Sequence, residues 1–262
     1  MEFVYLSDSV KIKRVSEDEK AGVFDIEGLY RGYGVTIGNA LRRVLLSSLP
    51  GAAITRFKVK GALHEFTTIP GVVEDVVEIG LNLKRVRFRF NVKDKGPQVL
   101  TLKVKGEREV LAGDIEGNAD VQVQNPDLRI ATLSSKTAEL DMEITVEKGL
   151  GYLTVEAQKL DRLPIGVVAL DAFFSPVSRV NFLVENMRVG ERTDYNKIRL
   201  EIETDGSISP SRALHKAADI VLDHFKKISD LEIKEEEQVE GAKTEKPAKK
   251  RAVTVKKKTV KK

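Results

Sequence analysis

Cysteine is absent from this chain of 262 residues, which excludes disulfides, thiolate-bound metals and a cysteine nucleophile. Histidine is scarce: His64, His215 and His224 have no metal-binding spacing, and neither an H-E-x-x-H string nor a histidine–carboxylate cluster occurs. No run approaches the ~18 apolar residues of a membrane-spanning helix, and the opening MEFVYLSDSVKIKR lacks the apolar stretch of a secretory signal. A cytoplasmic protein is the expectation. A G-x-S-x-G nucleophile elbow is missing too, and Ser7, Ser47 and Ser48 have no base close by in sequence. Gly28, Gly32, Gly34 and Gly38 resemble a phosphate loop at first glance. However, no G-K-[ST] follows, and no acidic residue about 20 positions on closes a dinucleotide unit. These glycines read better as a tight entry from a strand into a helix. No catalytic residue, metal or cofactor is expected in this chain.

What is present fits a soluble globular class, with 41% apolar and 32% charged residues. The length suffices for one large or two medium domains with a substantial core. The net charge of +4 conceals an asymmetry. Residues 243–262 hold ten Lys or Arg against one acid, Glu245, so this end carries +9 and residues 1–242 carry −5. An acidic run, Glu232, Glu235, Glu236, Glu237 and Glu240, precedes it. Neither segment has apolar periodicity beyond Val253 and Val255, so 231–262 is expected to be a disordered acidic-then-basic tail.

Along the body the apolar period switches repeatedly. Residues 2–14 and 22–29 read as strands of a meander with a turn around 16–21, and 54–59 as another strand. RVRFRFNV (85–92) alternates strictly, with Val86, Phe88, Phe90 and Val92 on one face and Arg85, Arg87 and Arg89 on the other, as in a half-buried strand. Further strands are expected at 99–104, 121–123, 138–146, 181–189 and 197–203, separated by Gly- and Pro-containing turns. Residues 72–83 predict a short helix with Val73, Val76, Val77 and Leu81 on one side and Glu74 and Glu78 on another. The Glu74, Asp75 and Glu78 group then reads as a solvated or partner-facing edge rather than a metal site. Strands and helices mixed without a βαβ repeat make the fold class α+β.

Two amphipathic helices stand out. TIGNALRRVLLSSLPG (36–51) places Ile37, Ala40, Leu41, Val44 and Leu45 at i, i+3, i+4, i+7 and i+8, and Pro50-Gly51 stops it. At about 100° per residue, Arg42 and Arg43 project to either side of the opposite face with Leu46 between them. That face is either solvated, with one stray leucine, or a contact surface, since arginine around an aliphatic anchor suits a protein interface. The second helix opens at Ser209-Pro210, a cap followed by proline at the first helical position. Leu214, Ala217, Ala218, Val221, Leu222, Phe225 and Ile228 line one broad face of it. This stripe is either plain core or the self-complementary contact of a two-fold dimer.

RGYGVTIGNALRRVLLSSLPGAAIT (31–55) resembles the hallmark segment of the bacterial RNA polymerase alpha-subunit family. The resemblance continues in GALHEFTTIPGVVEDVVEIGLNLK (61–84), KGLGY (148–152), LPIGVVALDAFFSPVSRVNFLVE (163–185) and VGERTDYNKIRLEIETDGSISP (189–210). These blocks stand in the family's order and span about residues 1–230.

The resemblance implies a dimerisation domain of β-strands with two amphipathic helices, from 1–50 and 176–230, interrupted by a mostly β inserted domain, 51–175, that contacts the large subunits. The chain would then be a non-catalytic scaffold, a homodimer on which beta and beta-prime assemble, with omega and sigma in the full complex. Positions matching Arg43, Leu46 and Glu78 lie on the family's beta-contacting side, and those matching Lys84 and Leu170 are associated with beta-prime. The two helices would meet across the dimer through Ile37, Leu41, Val44, Leu45, Leu214, Val221, Leu222 and Phe225. Family members usually continue into a helical domain that binds promoter DNA, and EEEQVEGAKTEKPAKKRAVTVKKKTVKK is too short and polar to fold as one. Upstream promoter recognition through such a domain is therefore not expected. The basic tail provides either weak, salt-sensitive phosphate contact with DNA or mere solubility. The cytoplasm is the expected location, at the nucleoid as part of the polymerase.

Overall fold

The computed structural model describes residues 9–91, 96–158 and 163–231. The described chain opens with β1 (Lys11–Glu17), β2 (Ala21–Leu29) and the helix α1 (Tyr33–Ser47). It continues through β3 (Pro50–Val59), α2 (Val76–Leu83), β4 (Phe88–Phe90), β5 (Gln98–Lys105), β6 (Arg108–Leu111), β7 (Ile115–Glu116), β8 (Val121–Val123) and β9 (Arg129–Leu133). Then come β10 (Glu139–Leu150), β11 (Tyr152–Leu153), β12 (Val167–Ala169) and β13 (Ala172–Phe173). The long hairpin β14 (Val177–Val189) and β15 (Arg192–Thr204) and the helix α3 (Pro210–Ser229) close the described chain.

Two antiparallel sheets organise these elements into an α+β fold. The first, in the order β1-β2-β15-β14, joins the two ends of the sequence, and the second, β12-β3-β10-β5-β7, comes from the middle. Alternation along the strands supplies each with an apolar face. Phe24 and Ile26 of β2 and Ile198, Leu200 and Ile202 of β15 pack with Leu41 and Leu45 of α1 and Ala213 and Ala217 of α3. Around the second sheet, Phe57, Leu102, Leu140 and Ile144 pack with Val76, Ile79 and Leu83 of α2 in a separate core.

The glycines near α1 have two jobs, and only one was expected. Gly32 turns the chain into the helix with φ +87°, a left-handed conformation that glycine adopts without strain. Gly34 and Gly38 instead let α1 lie close on β14: a Cβ on them would sit 2.6 Å from Val184 and 2.7 Å from the Phe182 ring. Asn196 of β15 accepts hydrogen bonds from the Gly32 and Gly34 amides at 2.8 and 3.3 Å, meeting the unpaired donors of the helix start.

Several expectations need correction. The short helix begins at Val76 rather than residue 72, because the Asp75 carboxylate caps it by accepting from the Glu78 amide at 2.7 Å. Its buried face is Val76, Ile79, Gly80 and Leu83, while Val73 and Leu81 are exposed. Glu74 is not a solvated edge: it is buried and accepts from the Thr132 amide and hydroxyl at 2.6 and 3.0 Å. Of the described residues in the strand read over 85–92, only Phe88–Phe90 pairs, with β8, since Arg85 and Val86 still belong to the turn that ends α2. The first strand covers Lys11–Glu17 and the turn is 18–20. Residues 2–8 of the expected strand, Val92 and the tail 232–262 lie outside the described residues. Ser209 does stand at the start of α3, yet its side chain makes no capping bond. Glu17 of β1 takes that place, accepting from the Ser211 amide at 2.9 Å.

Candidate subunit-docking surface

Arg42 and Arg43 of α1 are exposed, as the helical period requires. Leu46 is not left bare between them; it is half-buried against the first core. Its carbonyl accepts from the Ser175 hydroxyl at 3.0 Å, so the end of α1 is bound to the segment that leads back from the second sheet. Beside it, Gly151 lies near the Ser47 carbonyl, and its own carbonyl accepts from the Phe174 amide at 2.8 Å. From there β11 pairs with β13, Tyr152 opposite Phe173.

Asp171 ties this strip to α2. Its Oδ2 accepts from the Tyr152 hydroxyl at 2.8 Å and the Lys84 ammonium at 3.1 Å, and its Oδ1 from the Val155 amide at 3.0 Å. These donors, the Val155 amide foremost, hold its carboxyl below the usual carboxylate range, and the same carboxylate raises the Tyr152 phenol. Leu170, next in sequence, is half-buried against Gly80 of α2, its amide donating to the Thr55 carbonyl at 2.8 Å. Arg43 and Leu46 on one side, and Lys84 and Leu170 on the other, thus border one continuous surface running Ser47, Gly151, Tyr152, Asp171. Glu78 is exposed on α2, six residues before Lys84 and so about 9 Å along the helix axis.

Sequence reasoning missed the apolar part of this surface. Leu150 is 61% exposed and Tyr152 55%, and the Arg87 guanidinium covers the exposed Phe173 ring at 5.6 Å. Nothing but large apolar residues in a turn-rich stretch marks these positions in the sequence. A second exposed apolar group lies where Gly166 meets the Ala62 carbonyl, which sets Ile165 beside the loop carrying Leu63 and Phe66. That loop runs to the start of α2, where the Val76 amide donates to the Thr67 carbonyl at 3.2 Å. Exposed apolar groups rimmed by charge are the composition of protein interfaces.

The residues expected to meet across a dimer divide into three sets. Leu41 and Leu45 are enclosed by their own chain and serve its core, because α1 turns them onto β14 and β15. Ile37, Val44, Leu214 and Val221 are half-buried. Leu222, Phe225 and Ile228 stand 51%, 61% and 66% exposed on the last two turns of α3, an apolar stripe that none of the described residues of one chain covers. Among the described residues, no group of three or more His, Asp or Glu could hold a metal, and no helix is long and apolar enough to cross a membrane.

The family model described as "RNA polymerase Rpb3/RpoA insert domain" matches residues 56–175, the stretch that builds the second sheet. Three relatives, each called DNA-directed RNA polymerase subunit alpha, match most of the chain. That of Symbiobacterium thermophilum is 52% identical over 211 residues, 80% of this chain and 66% of the relative. That of Moorella thermoacetica is 49% identical over 216 residues, covering 82% and 68%. That of Alkaliphilus metalliredigens is 46% identical over 241 residues, covering 88% and 76%. The chain spans about two thirds to three quarters of the length of these relatives.

Proposed function

The chain belongs to the DNA-directed RNA polymerase alpha-subunit family, and on that premise we propose that it is the non-catalytic scaffold of the enzyme. It homodimerises and then gathers beta and beta-prime, with omega and sigma joining in the full complex. Residues 1–50 and 176–230 form the dimerisation unit and 51–175 the inserted domain, a division supported by the two separate hydrophobic cores. The α3 stripe of Leu222, Phe225 and Ile228 is the self-complementary contact, joined by the half-buried Ile37, Val44, Leu214 and Val221. The observation that carries the docking assignment is the strip from Ser47 to Asp171, which borders Arg43 and Leu46 on the beta side and Lys84 and Leu170 on the beta-prime side, with Glu78 farther along α2. Its exposed Leu150, Tyr152 and Phe173 supply the apolar centre that such an interface needs. The complex works in the cytoplasm, at the nucleoid, and the Lys-rich residues 243–262 add weak, salt-sensitive DNA contact.

Size-exclusion chromatography with light scattering tests this. The full chain should elute at twice its monomer mass and capture purified beta before beta-prime. A monomer that fails to capture beta overturns the reading. For the tail, holoenzymes with and without residues 243–262 should differ in the salt slope of promoter binding, and identical slopes exclude DNA contact.

A further inference from the structure

A cleft of about 910 Å³ opens between the two sheet units, with the first turns of α3 and the loop before it on one side and β4 on the other. Among the described residues four cations line it, Arg89, Lys148, Arg212 and Lys216, against a single acid, Glu19. Arg89, Arg212 and Lys216 are exposed and make no ion pair among the described residues. Arg212 and Lys216 stand four residues apart on α3, about 6 Å along its axis, so their charged ends reach the same side of the cleft. The Lys148 ammonium lies over the half-buried Phe90 ring, 4.8 Å from its centroid, so the ring borders the charges with its edge. This cluster is cationic although the body of the chain is acidic overall.

We propose that the cleft binds a free nucleoside polyphosphate. Arg89, Arg212 and Lys216 hold the phosphates through charge-assisted hydrogen bonds, for which arginine's forked donors are suited. The base takes the remaining room of the cleft along the edge of the Phe90 ring, whose face the Lys148 ammonium covers. The volume falls within the roughly 300–1,000 Å³ of small-molecule sites, and two domains bound it, which favours one nucleotide over a strand laid across the surface. This site is separate from the docking strip and does not depend on it.

Isothermal titration of the full chain at physiological salt tests the proposal, with GTP, ATP, inorganic tripolyphosphate and a 20-nucleotide single-stranded DNA as probes. One nucleotide should bind per chain, and tripolyphosphate should compete with it more weakly. Arg212→Glu combined with Lys216→Glu should weaken nucleotide binding at least tenfold. The charge-matched pair Lys58→Glu with Lys60→Glu, at the other end of β3, should leave it unchanged. All four side chains are exposed, so both variants should keep the wild-type dimer mass and circular dichroism. No nucleotide binding overturns the proposal. So does binding that survives Arg212→Glu with Lys216→Glu, which would move the anion to residues 243–262, and so does tight binding of the DNA strand alone.

Discussion

The Ser175 hydroxyl donates to the Leu46 carbonyl at 3.0 Å, joining two residues 129 positions apart. Through this bond the last turn of α1, which carries Arg43, is held against the segment that carries Phe173 and Phe174. Two groups of residues that are remote in sequence thereby share one face.

Arg43→Ala should leave the dimer and its stability nearly untouched, within about 0.5 kcal/mol, because the side chain is exposed. Capture of beta should weaken by about 2 kcal/mol, or roughly 30-fold, as for an interface arginine. Pull-down with purified beta measures this. A variant whose dimer dissociates would show that Arg43 lies on another surface.

Asp171→Asn removes the charge that holds Lys84 and should lower stability by about 1 kcal/mol in urea denaturation. Assembly with beta-prime should fall more than dimerisation does. Equal loss of both would mean that the Asp171 network only supports the fold.

Phe225→Glu places a charge in the exposed stripe of α3. The chain should remain folded by circular dichroism but elute as a monomer. An unaltered dimer would remove the C-terminal turns of α3 from the interface.

Gly38→Ala sets two effects against each other. The helix gains up to about 1 kcal/mol from replacing glycine. The new Cβ meets the Phe182 ring at 2.7 Å, and overpacking typically costs about 1–3 kcal/mol. Net destabilisation is expected, visible as a lower melting temperature, and a rise would mean that β14 yields to α1.

Asp25 is buried between Arg199, at 3.0 and 3.2 Å, and Lys197, at 2.6 Å. Hydrogen bonds from Arg199 above all, then Lys197, lower its carboxyl from 3.8 to about 2. A lowered pKa contributes stability that is complete above about pH 4 and is lost as pH falls through 2. Asp25→Asn should therefore be less stable by on the order of 1–2 kcal/mol at pH 7, the gap closing near pH 2. Denaturation curves at pH 7, 4 and 2.5 check this, and a constant gap would mean that the charge is immaterial.

Much of the fold is legible in local pattern. The α1 and α3 stripes, the long strands and the α+β class follow from apolar spacing, since a helix or strand with one apolar face has one way to bury it. Elements failed where distant neighbours decide. Val73 and Leu81 have the period of a buried face, but β9 approaches α2 from the side of Asn82, whose amide donates to the Ile130 carbonyl at 2.9 Å. Glu74 looks like a surface charge because its partner, Thr132, lies 58 residues away. The stretch 85–92 alternates perfectly, yet only three of its described residues pair with a partner strand.

The sequence by itself determined the two amphipathic helices, the family and the lack of cysteine chemistry, because these depend on residue identity and short-range spacing. Only the tertiary structure decided that Leu46 is half-covered, that Leu41 and Leu45 serve their own core, and that Phe225 and Ile228 are left open. It also brought Lys84, Tyr152 and Asp171 together. Whether an apolar side chain is core or interface depends on which surfaces the rest of the chain leaves uncovered, and periodicity carries no record of that.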